Sequence, residues 1–129
     1  MNWKTAQRLM TTARDKKKGK PIGNNTRLHE RYGNTYEIRL HGNLIMIIHK
    51  DRIELLDGGW RTVTTKARLN EHIPSGFFVR QKNFEWYIEH HTSADDVTYK
   101  FGDVYWIHND NRVMLYSTHP KYPDRGEEE

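Results

Sequence analysis

The sequence predicts an α+β fold, a single domain in which a mostly antiparallel β-sheet carries two short helices. Three observations predict it. Apolar residues recur at helical spacing near the start of the chain. From Thr26 onward the pattern changes to short strand-like runs separated by turns. A second helical stretch, at 64–72, interrupts those runs before they resume.

The first helix, expected over 3–14, rests on Trp3, Ala6, Met10 and Ala13, which share one face, with Lys4, Arg8, Thr11 and Arg14 outside it. Asp15-Lys16-Lys17-Lys18-Gly19-Lys20-Pro21 ends it through like charge, Gly and Pro, and 16–21 is expected to form a mobile basic loop. Runs at 26–31 and 36–41 flank Tyr32-Gly33-Asn34-Thr35, a hairpin turn whose Gly and Asn tolerate positive φ. After the turn His41-Gly42-Asn43, the run 44–50 reads as a strand buried on both faces, and 52–56 as its neighbour. Turns this short force antiparallel pairing, so these strands form a meander.

Asp57-Gly58-Gly59 breaks the sheet, and 60–63 is a brief extended segment. Thr64 or Thr65 is expected to cap the second helix, which Pro74-Ser75-Gly76 ends. Further strands are expected at 77–80, 84–90, 97–101, 104–108 and 112–117. The domain should close by residue 120, leaving 121–129, with Pro123 and a triple Glu, as a disordered tail.

Composition narrows the function classes. A chain of 129 residues suits one domain and buries about two-thirds of its unfolded surface. The mean hydropathy of −0.98 and the apolar fraction of 35% are low. Four Trp, seven Tyr and four Phe nevertheless imply an aromatic core under a polar surface. The absence of cysteine excludes a disulfide scaffold and a thiolate zinc site, and agrees with a reducing cytoplasm. No apolar leader follows Met1-Asn2-Trp3-Lys4, and the longest apolar run, 44–48, is too short to span a bilayer. Neither a signal peptide nor a membrane partner is therefore expected.

The net charge of +4 is unevenly placed. Residues 1–31 hold nine Lys/Arg and two acids, whereas 32–129 hold twelve and fifteen. A basic N-terminal quarter favours phosphate-bearing partners, although such arms also serve simply as solvated surface. Lys16, Lys17, Lys18 and Lys20 are the candidate phosphate contacts. The second candidate region is Asp57-Gly58-Gly59-Trp60-Arg61-Thr62-Val63-Thr64-Thr65-Lys66-Ala67-Arg68-Leu69-Asn70. If Thr64 or Thr65 opens a helix, its free N–H groups favour an anion, ordered by Thr64, Thr65, Lys66 and Arg68. Ordinary capping accounts for the same threonines, and the spacing is not that of a P-loop. Trp60 is expected to fold back as a buried anchor. Lys66, in the first turn, is expected to reach toward the helix start, and Arg68 to bind the sheet or an acidic neighbour.

Asn24-Asn25-Thr26, Leu40-His41-Gly42-Asn43, the string from Gly59 to Asn70, and Gln81-Lys82-Asn83-Phe84-Glu85-Trp86-Tyr87 resemble a widespread group of small bacteriophage and prophage proteins. The resemblance covers roughly residues 16–88. It implies a phage accessory protein acting inside the host cell and carries over no activity, cofactor or catalytic residue.

Reactive constellations are sparse. His90-His91, Asn109 and His119 follow the order of an HNH nuclease. That site needs its last ligand on a helix, whereas 112–117 reads as a strand and Pro120 follows His119. Tyr99, Phe101, Tyr105 and Trp106 suit a core as well as base stacking. Two function classes follow: a nucleic-acid or nucleotide-binding module, and a phage protein that inhibits a host defence protein by direct contact. A metal-dependent nuclease ranks third. No catalytic residue, metal ligand or cofactor is assigned, and the oligomeric state is left open.

Overall fold

The computed structural model describes residues 1–118. Helix α1 spans Trp3–Thr11, and the Asn2 side chain caps it by accepting from the Thr5 N–H at 2.9 Å. Ala6 and Met10 are buried, Trp3 and Ala13 partly so, as the helical spacing predicts. The helix ends three residues sooner than expected. The hydroxyls of Thr11 and Thr12 donate to the carbonyls of Arg8 and Leu9, competing with continuation of the helix.

The chain then forms β1 (Lys20–Gly23), which the sequence concealed behind a lysine run and a proline. Four further strands complete a meander: β2 (Thr26–Arg31), β3 (Thr35–Leu40), β4 (Asn43–Ile48) and β5 (Arg52–Leu55). Helix α2 (Val63–His72) follows, then β6 (Phe77–Lys82), β7 (Glu85–His91) and β8 (Asp96–Lys100). The chain returns to the first sheet as β9 (Val104–His108) and β10 (Val113–Leu115). The last expected strand is thus shorter, and Tyr116–Thr118 forms a 3-10 turn.

The strands divide into two sheets. The larger has the order β1-β2-β3-β4-β5-β9-β10 and the smaller β6-β7-β8, with every neighbour antiparallel. Leu28, Ile38, Met46, Ile48, Ile53 and Ile107 from the larger sheet share one core with Val79, Trp86 and Ile88 from the smaller. One shared core makes this one α+β domain. Helix α2 packs on both β4 and β6. Its Asn70 clamps β6, donating to the Val79 carbonyl at 2.9 Å and accepting from the Val79 N–H at 2.7 Å.

The expected burial of β4 on both faces holds: Ile45, Met46, Ile47 and Ile48 are all buried. A register shift leaves Ile45 as an extra residue between Leu44, opposite Arg39, and Met46, opposite Ile38. On the other face of the sheet His29, Glu37, Ile47 and Glu54 form a cross-strand row. Glu37 is only 6% exposed, and its carboxylate accepts from the guanidinium of Arg39 and lies 3.2 Å from that of Arg31. A carboxylate this buried requires such pairing. The expected tail, 121–129, lies outside the described residues.

Candidate functional site

The lysine loop is built by short-range chemistry. The Asp15 carboxylate accepts from the backbone N–H groups of Lys17 and Lys18 at 3.0 and 3.3 Å, an arrangement that closes the turn over Lys16–Lys18 without a regular element. Arg27, on β2, donates from one terminal nitrogen to the carbonyls of Lys18 and Gly19, at 3.4 and 3.1 Å. Gly19 has φ +80° and lies against β2 beside His29. Burial holds the His29 ring below its ordinary pKa of 6.5, with Arg39 and Arg27 adding to the effect and Glu37 opposing it. The ring that supports the loop is therefore held in its neutral form at neutral pH.

The product is an open hollow of about 700 Å³ lined by Arg14, Lys16, Lys17, Lys18 and Arg27, with Asp15, Gly19 and Pro21. Five cations face one acid, and that acid is engaged with backbone N–H groups. The described lining includes no aromatic ring. Lys20, singled out with its neighbours in the sequence, belongs to β1 and does not line the hollow. Arg14 and Arg27 do line it. Arg27 was hidden because only strand pairing brings it back beside the loop.

The second candidate region lies elsewhere. Arg68 donates to the Thr26 hydroxyl at 3.1 Å, and its Nε lies 4.0 Å from the Cβ position of Gly23, at the far end of β1 from Lys20. Three residues of strand separate the two ends, about 10 Å at the usual rise. The structure therefore does not gather the two sets of candidate residues into one site.

Within the second region three expectations are corrected. The cap of α2 is Thr62, neither Thr64 nor Thr65: Thr62 Oγ1 accepts from the Thr65 N–H at 3.1 Å. An N-cap side chain accepts from the N–H two or three residues on, and here that donor is the Thr65 N–H. Thr65 is buried, its hydroxyl 3.0 Å from that of Thr62, while Thr64 is exposed. Trp60 is not a buried anchor but 69% exposed. Gly58 and Gly59 do turn the chain with positive φ. Arg61 stays at the surface, its side chain 35% exposed, with its guanidinium 5.7 Å from the Trp86 ring centre and 5.5 Å from that of Phe101. Arg61 is fixed there by Asp57 at 3.1 Å and Glu85 at 3.6 Å.

Lys66 and Arg68 both have partners. Arg68 pairs with Glu71 at 3.0 Å, as expected of a residue tied to the sheet and an acidic neighbour. Lys66 does not reach back to the helix start but donates to Gln81 on β6 at 3.3 Å. Beside this helix end, Trp60, Thr62, Thr64 and Thr65 help to line a hollow of about 270 Å³, and Val63 is 75% exposed.

The histidines form no ligand set: no group of three or more His, Cys, Asp or Glu among the described residues could hold a metal ion. His90 stacks on Phe77 with ring centres 4.1 Å apart, and His91 lies 3.0 Å from Asp96. Asn109 donates to the Lys50 carbonyl at 2.7 Å, and His119 lies outside the described residues. No described helix is long and apolar enough to cross a membrane.

The family model for the Kyanoviridae Gp96 protein matches residues 4–111. No curated protein and no solved structure matches the chain. The matched span takes in the lysine loop, α2, the smaller sheet, all but the first residue of α1 and every strand of the larger sheet except β10. The chain therefore belongs to the Kyanoviridae Gp96 protein family, a family of phage proteins.

Proposed function

We propose that the protein binds the phosphate backbone of nucleic acid, largely without reading its sequence, as a phage accessory protein in the host cytoplasm. The observation that carries this reading is the hollow in which Arg14, Lys16, Lys17, Lys18 and Arg27 surround a single acid. Clustered cations displace counterions from a polyanion, and that release drives sequence-independent binding. The absence of an aromatic ring from the described lining favours a polymer backbone over a free nucleotide, because a base finds no surface there on which to stack. The tie from Arg27 to the loop carbonyls supports the same reading, since it holds the lysines in place before a ligand arrives.

The test is anisotropy of fluorescently labelled single-stranded DNA and RNA over a salt series. Affinity should fall steeply with salt. K16A/K17A/K18A should weaken binding at least about tenfold and flatten the logarithmic salt slope by about two, near 0.7 for each phosphate of a single strand that the variant no longer neutralises. Binding that ignores salt, or survives the triple substitution, overturns the proposal.

A second reading, contact with a host protein, is favoured by one observation: Trp60 and Val63 stand exposed together beside the hollow at the start of α2. Trp60→Ala would then abolish a salt-insensitive pull-down from host lysate while leaving nucleic-acid binding intact.

A further inference from the structure

A further concavity lies at neither of the regions singled out in the sequence. It is a cleft of about 810 Å³ where four segments meet: the start of α1, the β4–β5 turn, the end of β9 with the turn after it, and the three residues following α2. Its volume is within the range of small-molecule sites. Ile53, Ile73 and Ile107 supply apolar lining, and Ile53 and Ile107 belong to the buried core. The polar lining is one-sided in charge. Lys4 and Lys50 are present, and no Asp or Glu among the described residues lines the cleft.

Neither ammonium group has a carboxylate partner among the described residues. Lys50 lies instead over the Trp3 ring, 5.0 Å from its centre. His49 is engaged with Glu54 at 2.6 Å, so that pair brings no free positive charge to the rim. The Trp106 indole N–H donates to His108 Nε2 at 2.8 Å, which places the His108 proton on Nδ1 as a donor. Asn109 is oriented by its bond to the Lys50 carbonyl, so its amide oxygen remains as an acceptor. An apolar floor, two unneutralised ammonium groups and a few fixed polar groups make a chemically specific combination. We propose that this cleft binds a small organic anion, an acidic group carried on an apolar or aromatic body the size of a nucleotide. The acidic group meets Lys4 and Lys50, and the body lies against the isoleucines. A phosphate ester and an aryl carboxylate share that chemistry. The site is separate from the lysine loop and does not depend on the nucleic-acid reading.

The experiment is calorimetric titration of the full chain with four probes: adenosine 5′-monophosphate, 1-naphthoate, adenosine and inorganic phosphate. At least one organic anion should bind with Kd below about 1 mM. Adenosine and phosphate should each bind at least tenfold more weakly, because each lacks one half of the recognised pattern. Preference between the two organic anions identifies which source of negative charge the cleft takes. K4A/K50A should weaken binding at least tenfold. Ser75→Trp, which fills the cleft from its exposed rim without changing charge, should abolish binding while the thermal transition is retained. K16A/K17A/K18A should leave binding unchanged. The proposal is overturned if neither organic anion binds, or if phosphate alone binds as tightly. It is equally overturned if K4A/K50A has no effect, or if the loop variant is the one that loses binding.

Discussion

At the scale of the residue, the lysine loop depends on a position that carries no charge. Gly19 sits at φ +80°, and a Cβ there would lie 2.7 Å from both His29 Cε1 and the Leu28 carbonyl oxygen. Gly33 has nearly the same φ, +83°, with nothing within 4 Å of its Cβ position. The pair separates backbone strain from collision. Gly33→Ala should cost only the left-handed penalty, about 1–2 kcal/mol. Gly19→Ala should cost more, about 3 kcal/mol, because β2 must also give way. Urea unfolding of the two variants measures the difference, and equal losses would show that the loop yields freely. Glu37 makes the complementary case. In sequence it is one acid among seventeen, and only the fold shows it buried between two arginines.

At the scale of the element, α2 is set by which threonine its start employs. The sequence pointed to Thr64 or Thr65, and the cap falls instead to Thr62 because its hydroxyl meets the Thr65 N–H. Thr62→Ala should therefore cost about 1 kcal/mol. Thr64→Ala, at an exposed position with no side-chain hydrogen bond among the described residues, should stay within about 0.5 kcal/mol. Chemical denaturation of both variants checks the assignment, and the reverse order would move the cap. The same few residues decide the fate of Trp60. Arg61 meets two acids and two aromatic rings at once, so the turn lays Arg61 along the surface against Trp86 and Phe101 and leaves the Trp60 indole exposed.

At the scale of the whole molecule, the N-terminus is tied to the far end of α2. The Met1 amino group donates to the His72 carbonyl, and the His72 Nε2 is buried without a partner. Burial holds the His72 pKa below 6.5, reinforced by the Met1 ammonium and Arg68 and opposed by Glu71. His29 is depressed in the same direction. A base whose folded pKa lies below its unfolded value takes up protons more readily when unfolded. Its contribution is therefore intact above pH 6.5 and is lost as pH falls below that value toward the folded pKa. Urea midpoints should accordingly decline from about pH 6.5 to 5.5, within the range where histidine titrates. His72→Gln should decline less steeply over the same window, and an unchanged slope would remove His72 as a cause.

What the sequence determined by itself was local. The α1 stripe, the hairpin turn at Tyr32-Gly33-Asn34-Thr35, the doubly buried β4 and the excess charge of the first 31 residues are properties of neighbours along the chain, and periodicity or composition reports them. The tertiary structure decided what depends on partners distant in sequence. β1 exists because Lys20 and Pro21 find Leu28 and Arg27, although a lysine run before proline reads as a loop. Arg27 joins the basic hollow only through that pairing. Arg68 is drawn away from any ligand by Thr26, 42 residues earlier. The acid-free cleft gathers four segments whose residues, taken singly, carry no signal. Cross-strand pairing and burial act between positions that local pattern cannot connect, so the elements were legible and the sites they assemble were not.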